Sequence, residues 1–198
     1  MNLEEQRKEM LSGVIYDDLT PELIEARAKA VRLTNEYNAS YGKSASEREA
    51  ILSKLLKNVG TGAFFEPNFR CEFGDQISLG DHFYANFDCV MLDGGGITIG
   101  NRVLIGPRVG LYTSNHAFDP QERFEGACYA KPIKIGNDVW IGGGVQINPG
   151  VTIGDNVIIG SGSVVTQDIP SNSVAAGVPC RVLREITEED KTDYRPRH

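Results

Sequence analysis

The chain has 198 residues, 40% of them hydrophobic, with 27 acidic against 20 basic side chains and a net charge of −7. That balance argues against nucleic acid as a general partner, and no run of 18 apolar residues is present to span a membrane. The N-terminus MNLEEQRKEM lacks an apolar signal-peptide core, and Cys71, Cys89, Cys128 and Cys180 form no C-x-x-C pair, so a reduced, cytoplasmic setting without a structural metal is expected.

Residues 1–60 read as a small helical subdomain. Thr20-Pro21-Glu22 is a helix start, with Thr as cap and Pro at the first helical position, and Leu23, Ala26, Ala30, Leu33 and Tyr37 then fall near one face. Ser46-x-x-Glu49 is a capping box leading into Ile51, Leu52, Leu55 and Leu56, which predicts a second amphipathic helix. The aromatic stretch Phe64 to Phe73, with Pro67, reads as a lead-in to the coils.

Residues 61–186 carry a repeat. From Ile133 to Asp168 the sequence divides into IKIGND, VWIGGG, VQINPG, VTIGDN, VIIGSG and SVVTQD, and the third position of every block is β-branched. Each block is a three-residue strand followed by a turn, and a fixed six-residue period marks a parallel β-helix. Blocks also open at Ile77, Phe83 and Cys89 and at Ile97, Val103 and Val109, with a two-residue slip at Gly94-Gly95-Gly96. Cys89 therefore reads as a small core residue.

Between Val109 and Ile133 the period lapses for 24 residues, a multiple of six, which predicts a loop at about 113–132 protruding from coils that keep their phase. With three blocks per coil, Trp140 stacks on Ile158 and Gln146 on Val164. An exposed apolar row of that kind implies cover by a subunit or a ligand. A partial coil over Ser173–Arg181 and a charged tail, 187–198, complete the chain, and the terminal His198 is expected to be disordered.

The segments Met10-Leu-Ser-Gly13, Tyr16-Asp17, Pro21-Glu22-Leu23 and Arg27, together with Tyr84-Ala-Asn86-Phe87, Asn115-His116 and Asn137-Asp-Val-Trp140-Ile-Gly-Gly, resemble the maltose and galactoside O-acetyltransferases. That family lies within the hexapeptide-repeat acyltransferases and includes nodulation-factor acetyltransferases. The resemblance runs from about Met10 to Ile186. It implies an all-β-dominated left-handed parallel β-helix, against the right-handed rule for parallel crossovers. It also implies acetyl-CoA as co-substrate, a sugar acceptor, no catalytic metal, and a homotrimer with active sites between subunits.

Acyl transfer to a hydroxyl needs a base that is neutral near physiological pH, and His116, at the root of the protruding loop, has the right chemistry. A plain surface-loop histidine is the alternative from the residues alone, and the resemblance implies the catalytic role. Asn86 stands where its block usually has Gly. It is either an Asn tolerating a left-handed turn or, as the resemblance implies, an amide that stabilises the tetrahedral oxyanion. The resemblance further implies acceptor contacts at Asp17, Glu72, Asn86, Asp93 and Cys128.

For coenzyme A it implies contacts at Trp140, Gly143, Ser161, Thr166 and Gln167, with Arg181 and Arg184 suited to the nucleotide phosphates. Two departures stand out. Gln167 occupies a position where Lys is usual, and Cys128-Tyr129 replaces a common Glu-Tyr, which leaves any carboxylate partner of His116 in doubt, with Glu125 nearby. Two other readings remain from the residues: a non-catalytic β-helix serving as an assembly module, and an acetyltransferase with a non-sugar acceptor. A zinc hydrolase needs three histidines on the metal, whereas only His82 and His116 lie among the coils and His82 reads as a solvated turn residue.

Overall fold

The computed structural model describes residues 1–192, 194 and 195, so the expectation for His198 lies outside the described residues. From Phe64 onward the blocks wind into a parallel β-helix whose strands form three sheets, visited in turn by each coil. One sheet, the polar face, stacks Ser78, Thr98, Lys134 and Thr152 outward. A second, the apolar face, stacks Phe64, Tyr84, Leu104, Trp140, Ile158 and Val174 outward. The third face aligns Arg70, Val90, Gly110, Gln146 and Val164. The stacking of Trp140 on Ile158 and of Gln146 on Val164 is the one the six-residue period requires.

The apolar third positions, most of them β-branched, point inward. Ile105, Ile141 and Ile159 align in one column and Leu111, Ile147 and Val165 in another, all buried in a single continuous core. Each such side chain contributes about 1.5–3 kcal/mol by leaving water. At the corner between the polar and apolar faces the chain turns through left-handed residues, His82, Arg102, Asp138, Asn156 and Asn172, with φ between 53° and 58°. Asn and Asp tolerate that region well, which accounts for the turn chemistry of the blocks.

Three helices precede the coils: α1 (Leu3–Ser12), α2 (Pro21–Ala39) and α3 (Ala45–Leu55). Thr20 caps α2 through its hydroxyl, which accepts from the Leu23 N–H. The capping box of α3 is Ser44 with Glu47, two residues before the pair that the sequence suggests. Helix α1 is not expected from the sequence. It buries only Gln6 and Met10, too narrow a stripe to announce itself by periodicity. The helices close one end of the β-helix: Tyr37 meets Phe65 edge-on, and Arg48 donates to the Phe65 carbonyl at 2.7 Å. The stretch Phe64 to Phe73 is itself the first coil, with strands at Phe64–Phe65 and Arg70–Cys71.

Candidate active site

The 24-residue interruption is ordered rather than irregular. Ser114–His116 pairs antiparallel with Ala127–Ala130, a short helix α4 (Pro120–Phe124) joins them, and Tyr16–Asp17 adds to the other side of Ala127–Ala130. Cys128 thus stands between Tyr16 and His116 in register, and residues paired directly across a sheet project from the same face. The sulfur of Cys128 lies 3.2 Å from His116 Nδ1. His116 is exposed, whereas Cys128 is 2% exposed. Burial, and then the charge of Asp18, push the Cys128 thiol up to about 11, so sulfur is a neutral thiol at working pH. The contact accommodates the tautomer in which Nδ1–H donates to that sulfur and Nε2 keeps its lone pair, the form a general base requires.

Asp17 pairs with Ala127, so its side chain leaves the face opposite His116, and its Oδ1 accepts from the Leu19 N–H at 2.8 Å. The acid on the histidine side is Asp18, one residue on, close enough for the neighbouring ring to bear on its carboxyl. Arg27 bridges Asp18 and Glu72, reaching Glu72 Oε1 at 3.1 Å. Burial raises the Asp18 carboxyl and Arg27 draws it back down. Glu72 is pushed up to about 7, again by burial against the pull of Arg27, and its Oε2 is buried with no hydrogen-bond partner among the described residues. Asp18 escapes a reading of the sequence because nothing there tells which of two adjacent acids the pleat turns inward.

Asp93 lies inside the fold. It is fully buried, with Oδ1 accepting from the Phe73 N–H at 2.8 Å and Oδ2 from the Gln76 N–H at 3.3 Å. Its carboxylate fixes the turn at residues 73–76 of the preceding coil. Glu125 is held by Gln121 Nε2 at 2.7 Å, within the loop's own helical turn, and is no partner for His116. Asn86 is not a left-handed turn residue. That conformation belongs to Asp88 at φ 60°, and Asn86 Oδ1 accepts from the Phe87 N–H at 2.8 Å.

The remaining site residues sort onto two edges of the β-helix. Asn86, Gly143 and Ser161 lie on the edge where the apolar face turns into the third face. Glu72, His116 with its loop, Thr166 and Gln167 lie on the next edge, where the third face turns into the polar one. Trp140, 54% exposed, sits on the apolar face itself. Arg184, in the last strand Arg181–Glu185, pairs with Val174 and continues the row of Trp140 and Ile158. Arg181 donates to its neighbour's carbonyl, Cys180 O, at 2.8 Å. His82 occupies a corner turn, and no group of three or more metal-ligating side chains occurs among the described residues.

Residues 9–60 match the maltose acetyltransferase hexapeptide capping motif, and residues 132–167 match the bacterial transferase hexapeptide (six repeats). The galactoside O-acetyltransferase of Escherichia coli is 45% identical over 92% of this chain and 90% of its own. Nodulation protein L of Rhizobium meliloti is 44% identical over 89% and 97%. Among solved structures, a maltose O-acetyltransferase from Clostridium difficile, 46% identical, aligns with a TM-score of 0.89 over 95% of this chain and 99% of that one. A galactoside acetyltransferase in complex with coenzyme A, 42% identical, aligns with a TM-score of 0.88 over 98% of each. The chain belongs to the maltose and galactoside O-acetyltransferases, a family of hexapeptide-repeat acetyltransferases.

Proposed function

We propose that the chain transfers the acetyl group of acetyl-CoA to a hydroxyl of a sugar acceptor, with His116 as general base. The observation that carries this reading is the Nδ1 to Cys128 contact of 3.2 Å, which orients an exposed imidazole with Nε2 outward. Nε2 takes the hydroxyl proton as the oxygen attacks the thioester carbonyl. The amide of Asn86 donates to the oxyanion that forms. Collapse expels the thiolate of coenzyme A, which recovers the proton from the imidazolium, so the base is regenerated.

In one chain Asn86 and His116 lie on different edges, separated by the third face, and the apolar face on the far side of the Asn86 edge exposes Leu104 and Trp140 by half. Both features support a homotrimer in which the His116 edge of one subunit meets the Asn86 edge of the next. Coenzyme A fits the resulting cleft. Gly143 and Ser161 leave its floor low, Thr166 and Gln167 line the other side, Trp140 offers an apolar surface, and Arg181 and Arg184 supply cations at the end. Asp18, Glu72 and Cys128 on the histidine side offer polar contacts to an acceptor, and Asp17 faces away from them. The four cysteines are free thiols, which supports a reduced, cytoplasmic setting.

Turnover of acetyl-CoA against a panel of pyranosides, amines, amino acids and aromatic antibiotics tests the reading. Acetylation of pyranoside hydroxyls, with simple amines much slower, is expected. Selective turnover of amines or antibiotics with every sugar inert would overturn it.

A further inference from the structure

Arg184 ends the exposed row of the apolar face, and its guanidinium is already held from one end. Nη1 donates to Asp190 Oδ2 at 2.8 Å and Nη2 to Asp190 Oδ1 at 2.7 Å. Nη1 also donates to the carbonyl of Glu185 at 2.9 Å. A guanidinium has five N–H groups in a fixed plane, so these three bonds leave Nε–H and the second N–H of Nη2. Those two lie parallel on one edge, the arrangement that accepts two oxygens of a phosphate. Asp190 does not swing freely, because its Oδ2 also accepts from the Thr187 N–H at 2.9 Å, in the helical turn Glu188–Asp190. The bond from Arg184, and then that from Thr187, hold its carboxyl at about 2, an anion at any working pH.

We propose that Asp190 is a positioning residue for coenzyme A: it fixes Arg184 end-on, so that the free edge of the guanidinium is presented to a phosphate of the nucleotide. The proposal rests on the reading of Arg184 as a coenzyme A contact. The pair is solvent-exposed and contributes little to folding. Its value lies in ordering a long side chain before the ligand arrives, which spares part of the entropy lost on binding.

Titration calorimetry with coenzyme A on the full chain tests this, using the wild type, Asp190→Asn, Arg184→Gln and the double variant. Asp190→Asn is expected to weaken coenzyme A about three- to tenfold, the value of one ordered side chain. Arg184→Gln weakens it at least as much, and Asp190→Asn adds nothing in the Arg184→Gln background. In turnover, the KM for acetyl-CoA rises by the same factor while kcat holds. Tighter binding by Asp190→Asn would show that the carboxylate competes with phosphate and overturn the proposal. Weakening that persists without Arg184 would assign the effect to the fold of the tail and overturn it too. Wild-type affinity in Arg184→Gln removes Arg184 from the nucleotide site, and the proposal with it. A wild type that binds no coenzyme A at all contradicts the acetyltransferase reading itself.

Discussion

Cys128 Sγ and His116 Nδ1 lie 3.2 Å apart, in a register set by the pairing of the loop's own strands, Ser114–His116 with Ala127–Ala130, rather than by the coils. Tyr16 of the N-terminal segment pairs with Cys128 from the other side and makes the hairpin a three-stranded sheet. A neutral thiol steers the ring without lending it a charge, and the charge on that side comes from Asp18. Replacing Cys128 by Ala removes the steering contact and is expected to lower kcat about three- to tenfold, the worth of one hydrogen bond. Ser, which keeps a donor and acceptor at the site, is expected to retain most of the activity. Equal turnover by wild type and Cys128→Ala, both folded by thermal melting, would show that the ring needs no such partner.

The buried carboxyl of Glu72, paired with Arg27 through one oxygen only, has a measurable consequence for stability. Its folded pKa of about 7 exceeds the ordinary 4.5, so the folded chain holds this proton more tightly than the unfolded one. That contribution is fully present below about pH 4.5 and is lost as pH rises to about 7. Glu72→Gln removes the titration. Between pH 4.5 and 8 its unfolding free energy is expected to gain on the wild type by on the order of 1–3 kcal/mol. Denaturant melts at the two pH values decide it. A difference that does not change with pH would contradict the assignment.

Two glycines separate packing from backbone strain. A Cβ on Gly142 meets the Ser161 nitrogen at 2.6 Å, whereas Gly162, at φ 72°, has nothing within 4 Å of its Cβ. Gly142→Ala is expected to cost several kcal/mol by overpacking two successive coils, and Gly162→Ala only about 1 kcal/mol of left-handed strain. Chemical denaturation of both variants gives the order, and equal costs would refute it.

The two-edge arrangement calls for complementation. His116→Ala and Asn86→Ala are each expected to be nearly inactive, yet subunits mixed and reassembled from the two should form sites with one intact residue from each chain. Random assembly of equal amounts gives about one quarter of the sites with both wild-type residues. Light scattering is expected to give three chains per particle, and no recovery in mixed particles would place both residues of each site within one subunit.

The coils are legible because every block repeats one physical demand, two inward apolar side chains and a turn, and the phase survives the loop. The stacking of Trp140 on Ile158 comes from counting alone. Helix α1 is not legible, since a stripe of Gln6 and Met10 carries no period. Nor is the loop, where the sequence shows an interruption while tertiary pairing with Tyr16 makes it a sheet. The position of His116 at an exposed loop root can be read from the sequence, but its surroundings cannot. Which of Asp17 and Asp18 faces it is a matter of strand register, and the burial of Asp93 depends on a turn formed by residues 20 positions earlier.

The central claim, that His116 is the base, is tested most directly by measuring acetyl-CoA affinity and turnover on one purified His116→Ala preparation. The side chain is exposed at the edge of a three-stranded sheet, so its removal should leave the coils folded and acetyl-CoA bound with near wild-type affinity. Turnover is expected to fall by roughly 10²–10⁴-fold, the usual contribution of a positioned base. In the wild type, kcat/KM should fall on acidification, because an imidazolium has no lone pair to take the hydroxyl proton. Near-normal turnover by His116→Ala would contradict the account and remove this residue from the mechanism.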